Sequence, residues 1–259
     1  MEDITLKKEK ITLAVSIGEQ LLRNGGEVSR VEDTVRRILK YYGYDNHSVY
    51  TISNGIFVTV DESEGAPISC IRNVPTWSTN LGKIAEINKL SREICSDKCT
   101  IEEAEKRLEH IRNMQYTPII TQIMGTAIGS AAFCFIFGGK TLDMVTAFFV
   151  GLILKSLMEL ASSKGVSKFI MQILGSLLVT IIAVTSYRFV TAIQVDKVII
   201  GSIMLMVPGV ALTTSVRDFF GGDYLSGSIH LIDALLTAVC IAAGVGIGMK
   251  MFMMIGWIV

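Results

Sequence analysis

The stretch P-G-V-A-L-T-T-S-V-R-D-F-F-G-G-D-Y-L-S-G-S-I-H-L-I-D, residues 208–233, decides how this chain reads. It begins inside an uncharged run, Val198 to Val216, close to the ~20 residues that a membrane-spanning helix needs. Pro208-Gly209 falls in the middle of that run, where a proline frees a backbone carbonyl and bends a helix. Arg217, Asp218, Asp223, His230 and Asp233 follow before the next apolar run opens at Ala234. Each such group at membrane depth costs about 2.5–3.5 kcal/mol, so it is tolerated only when paired or facing a polar cavity.

A broken helix beside clustered ionisable groups is how many transporters build a substrate site. On that reading Pro208, Gly209, Thr213, Arg217, Asp218 and Asp223 are the substrate-binding candidates. Arg217 is suited to a carboxylate through a bidentate pair, and Asp218 or Asp223 to an ammonium group. His230, Asp233 and Glu159 are the candidates for carrying a coupling proton, because imidazole titrates near neutral pH. The alternative is that Arg217 to Ser228 is an interfacial loop with its charges in water.

Outward from this stretch the chain has two unlike halves. Residues 1–118 hold 16 Lys and Arg and 18 Asp and Glu, whereas residues 119–259 hold 8 and 6. The first half has the composition of a soluble domain and the second that of a membrane domain. Neither is basic enough for nucleic acid. Met1 to Lys10 is charged, so no signal peptide is expected and residues 1–117 are read as a cytoplasmic domain. The predicted fold is a small cytosolic α+β domain over 1–117, then an α-helical bundle over 118–259. About five transmembrane spans are expected, near 118–139, 142–162, 169–187, 198–216 and 229–252. An odd number of spans puts the two termini on opposite sides of an inner membrane, with the bundle in the lipid bilayer.

Within the polar half, apolar spacing predicts a helix from Ile4 to Arg23, closed by Asn24-Gly25-Gly26. Ser29-x-x-Glu32 reads as a capping box for a second helix that stops at Gly43. Ser48 to Val60 reads as a hairpin around Asn54-Gly55. Pro67 to Val74 adds a strand that Pro75 closes. Leu81 to Ile94 is helical, and Thr100-x-x-Glu103 caps one more helix.

Other motifs are weaker. Glu27, Ser29, Arg30 and Glu32 form a dense polar cluster, either a turn with a cap or the site of a membrane-anchored, hydrolase-like enzyme. A metabolite sensor that gates the membrane half is a further alternative. Cys95-x-x-x-Cys99 with His110 is read as plain thiols rather than a metal site, and no cofactor is implied. Gly125-x-x-x-Gly129 and Gly244-x-x-x-Gly248 are helix-packing faces. Lys155 and Glu159 lie one turn apart and read as a local ion pair.

Five segments carry a family resemblance: Gly25–Thr34 (G-G-E-V-S-R-V-E-D-T), Asn54–Thr59 (N-G-I-F-V-T), Arg72–Pro75 (R-N-V-P), Asn80–Arg92 and Pro208–Gly227. In them the chain resembles the threonine/serine exporter family of the ThrE type. The resemblance implies a cytosolic domain followed by a membrane domain that exports small polar metabolites, and no enzyme. Single-chain members carry a second membrane half; this sequence resembles the larger subunit of the split, two-protein form, for which succinate is the other suggested substrate. It implies a smaller membrane subunit as partner, completing an inverted repeat, with a higher oligomer as the other possibility.

Overall fold

The computed structural model describes residues 4–61, 66–74, 79–114 and 117–257. Two compact units emerge: Met1–Gln115 with Thr213–His230, and Tyr116–Leu212 with Leu231–Val259.

In the first unit, α1 (Ile4–Arg23) and α2 (Val28–Tyr41) are followed by three strands, β1 (His47–Ile52), β2 (Gly55–Val60) and β3 (Ile68–Asn73). Then come α3 (Leu81–Ile94) and α4 (Ile101–Asn113). The sheet is antiparallel in the order β1-β2-β3. Ile52 pairs with Gly55, so the two-residue turn is Ser53-Asn54, one residue earlier than the expected Asn54-Gly55, because Gly55 is taken into β2. Alternation along β2 sends Ile56, Val58 and Val60 into the core, as a sheet buried on one face requires. On the other face Tyr50, Phe57 and Ile71 pair across the three strands.

The core is built around α1, whose Ile11, Leu13, Val15, Ile17 and Leu21 are fully covered. Burying each such side chain stabilises the fold by about 1.5–3 kcal/mol before chain entropy is counted. Gly18 lets α2 approach, since an added Cβ would sit 2.5 Å from a Val35 methyl. Gly25, at φ +85°, makes the left-handed turn that ends α1.

The capping box expected at α4 forms in full, between Thr100 and Glu103. The one expected at α2 does not. That helix starts at Val28, with Glu27 at the cap position and no side-chain cap. Glu32, the residue that would complete a box with Ser29, instead accepts from the Thr51 amide at 2.8 Å and pairs with Arg36 at 3.2 Å. Tertiary contact with β1 outcompetes the local cap. Pro75, expected to close the third strand, lies outside the described residues.

The second unit contains α5 (Ile119–Ile136), α6 (Thr141–Ser162), α7 (Lys168–Phe189) and α8 (Val195–Ile203). It also holds the start of α9 (Gly209–Phe220) and most of α10 (Tyr224–Met254). Among the described residues four helices, α5, α6, α7 and α10, are long and apolar enough to cross a membrane. The expected span at 198–216 is not one helix. Pro208 has no N–H to donate to the carbonyl one turn back. The chain tightens through a Met206 N–H to Ile203 carbonyl bond of 2.8 Å, and α9 starts afresh with Leu212 N–H bonding to Pro208 O at 3.1 Å.

Small residues set the packing. Gly201 lies against the Cys134 backbone, where a Cβ would come within 2.6 Å of its nitrogen. Gly248 on α10 meets Thr180 of α7 at 2.8 Å, and Gly129 meets Leu205 at 3.2 Å. These expected packing faces are used within the chain. Gly125 is different: a Cβ there would meet nothing within 4 Å.

Candidate functional site

The polar residues singled out in the sequence fall into several places. At the start of α2, Glu27 is shared between two guanidinium groups. Arg30 stands 3.6 Å away, and Arg217 of α9 makes a direct ion pair with the same Glu27 Oε1. Two clusters 190 residues apart in sequence thus become one. Arg217 keeps 63% of its side chain exposed, so it has room for a second anion. Ser29 is exposed at the second position of α2.

One residue on, Asp218 turns inward. Its Oδ2 lies 3.0 Å from Nδ1 of His230, and both side chains are almost entirely buried. A buried carboxylate–imidazole pair holds the ring in one orientation. Asp223 accepts the Ser226 amide at 3.2 Å, which satisfies one open donor at the start of α10. Gly222, at φ +84°, makes the turn between α9 and α10. Ser215 Oγ donates to the Gly227 carbonyl at 2.8 Å and locks the two helices together.

The remaining candidates lie apart. Pro208 and Gly209 set the break before α9, and Thr213 is exposed on that helix. Asp233 pairs with Lys168 at 2.6 Å, and Glu159 pairs with Lys155 at 3.2 Å. His230, Asp233 and Glu159 therefore sit in three separate pairs rather than in one relay.

Sequence reasoning passes over two residues of the second unit. Asp143 is fully buried. It accepts the Lys140 amide at its own helix start and the Gln194 amide before α8, both at 2.7 Å. An acidic residue in a first turn is the available signal. Gln172 is buried on α7 with its side-chain oxygen unpaired, and an amide in an apolar run is the only hint. Among the described residues no three His, Cys, Asp or Glu side chains converge as a metal site. Cys95 and Cys99 are half-buried, and burial pushes both thiols up.

A family model described as "Putative threonine/serine exporter" (ThrE) matches residues 12–252. The chain belongs to the ThrE family. Its relatives include "Threonine/serine exporter" of Corynebacterium glutamicum, 26% identical over 93% of this chain and 51% of that protein. "Probable threonine/serine exporter" of Mycobacterium tuberculosis is 22% identical over 96% and 47%. This ThrE chain thus spans about half the length of those two relatives. "Probable succinate transporter subunit YjjP" of Klebsiella aerogenes is 22% identical over 95% of both chains. No solved structure matches. These three relatives are named as exporters or as a transporter subunit, which points away from an enzyme.

Proposed function

We propose that this ThrE chain is a subunit of a secondary transporter that exports small polar metabolites across the inner membrane, with its N-terminal unit in the cytoplasm. Threonine- or serine-like amino acids, or a dicarboxylate such as succinate, are the substrates. The observation that carries this reading is the family match over residues 12–252. Relatives named as threonine/serine exporters and as a succinate transporter subunit support the substrate classes.

Two features of the fold support the mechanism. Gln194, before α8, bonds to Asp143 at the start of α6, while Asp233 on α10 pairs with Lys168 at the start of α7. Successive long helices run up and down, so these two bonds mark opposite ends of the second unit. On this reading the chain passes from one end to the other between them, with the broken pair α8–α9 as a fifth crossing. Discontinuous helices of this kind expose backbone groups to a polar path.

In this reading Arg217 exchanges Glu27 for a substrate carboxylate, Asp223 holds the start of α10 in place, and the Asp218–His230 pair carries a coupling proton. A smaller membrane subunit supplies the second half, a view supported by the word "subunit" in the name of a relative that this chain covers almost end to end. The test is an export profile of threonine, serine and succinate. Cells lacking both proteins would carry this chain alone, or this chain with its smaller subunit. Export restored only by the pair is expected. Full export by this chain alone refutes the obligate partner, and no change in any of the three metabolites refutes the transport reading.

A further inference from the structure

The second unit carries a partly open cavity of about 470 Å³, within the ~300–1,000 Å³ usual for small-molecule sites. Gln122, Gly125 and Thr126 of α5, Lys155 of α6, Gln172 of α7 and Met206 from the break before α9 line it. Its apolar wall therefore carries one cation, two amides and a hydroxyl. None of these residues belongs to the Arg217 cluster.

Three details distinguish this cavity from a packing defect. Gln172 is 8% exposed, and its side-chain oxygen is buried with no hydrogen-bond partner among the described residues. A buried polar group left unpaired costs about 1–3 kcal/mol, and Gln172 lines the cavity, so a turn of its amide toward a bound donor would satisfy that oxygen. Lys155 reaches Glu159 at 3.2 Å, but a lone ammonium has three donors, so it can hold a carboxylate as well. Gly125 lies in the wall with open space where its Cβ would be; any side chain there would take up ligand volume.

We infer that this cavity is a binding site for a small zwitterion, an inference that rests on the transport reading above. Lys155 holds the ligand's carboxylate. Gln172 accepts a hydrogen bond from its ammonium or hydroxyl group. A fully ionised dicarboxylate has no donor for Gln172 and would leave its second charge facing no further cation in the cavity wall. The site therefore selects amino acids over succinate. Met206 in the wall ties occupancy to the α8–α9 break, where the helix ladder is already open.

The test is titration calorimetry of the detergent-solubilised full chain with L-serine, L-threonine and succinate, beside cellular export of the same three compounds. The parent binds the amino acids and not succinate. Lys155→Met and Gln172→Leu each weaken L-serine binding about tenfold or more, the scale of one lost hydrogen bond to a charge. Lys155→Arg retains binding, and Gly125→Leu abolishes it while melting within a few degrees of the parent. Parent-like binding by the Met, Leu and Gly125 variants overturns the site but leaves the transport reading intact. Preferential binding of succinate overturns the ligand class. Loss of export by the parent itself, together with its smaller subunit, is the separate outcome that refutes transport.

Discussion

Replacing Asp143 by alanine removes an anchor that joins the start of α6 to the segment before α8. The carboxylate is fully buried and accepts two backbone amides, Lys140 and Gln194, each at 2.7 Å. Hydrogen bonds to a charged group contribute about 1.5–3 kcal/mol each, and both amides, whose bonds are part-buried, would lose this acceptor. Allowing for partial entry of water, the expected loss is about 3–5 kcal/mol, a large part of a typical stability of about 5–15 kcal/mol. Asp143→Asn keeps one acceptor and turns an NH₂ toward the other amide, so it should lose about half as much. Cys134 offers the readout, because it is completely covered and an added Cβ on neighbouring Gly139 would meet its sulfur at 2.6 Å. With Cys70, Cys95, Cys99 and Cys240 replaced, a thiol-reactive dye reports when this end of the unit opens on heating. At about 2–4 °C per kcal/mol for a chain of this size, the alanine variant should open roughly 6–20 °C earlier. Opening within about 2 °C of the parent would show that Asp143 does not anchor α6 to the segment before α8.

Arg217→Gln and Asp223→Asn should leave membrane abundance near normal while export falls about tenfold or more, the scale of a lost charged hydrogen bond; normal export in both would return residues 217–228 to the status of an interfacial loop. Reporter fusions at the two ends should read from opposite sides of the membrane, and two cytoplasmic readings would mean that α8–α9 enters and returns without crossing. In the N-terminal unit, the Arg107 hydrogen bond holds the Glu93 carboxyl below the ordinary glutamate range. A depressed carboxylate contributes stability that is present above its unfolded value of about 4.3 and lost as pH falls through the folded value. Thermal melting between neutral and acidic pH should therefore drop less steeply in Arg107→Met than in the parent, and parallel curves would remove the pair from the acid response.

Elements whose cause lies within a few residues are legible in the sequence alone. Apolar spacing sets the bounds of α1 and α3, the turn signal near Asn54 marks the hairpin although pairing moves the turn one residue earlier, and Thr100 and Glu103 set the cap of α4. These signals survive because helix periodicity, turn chemistry and capping act over one or two turns of chain. The long apolar runs of α5, α6, α7 and α10 are equally plain, since length and polarity alone determine whether a helix can span a bilayer. Pro208-Gly209 marks the break, for a missing N–H is a property of the residue itself.

Three-dimensional contact decided the rest. Glu32 serves β1 rather than its own helix start, and Glu27 meets an arginine 190 residues away. His230, Asp233 and Glu159 look alike as proton carriers in the sequence but take three different partners. Asp143 and Gln172 do not stand out in the sequence, because the value of a buried polar group depends on which donors and acceptors the fold brings to it. Sequence by itself determined which segments are helical, which are apolar and where the ladder must break. Only the tertiary structure decided which charges are spent on each other and which polar atoms remain unpaired, because pairing is fixed by distances between segments remote in the chain.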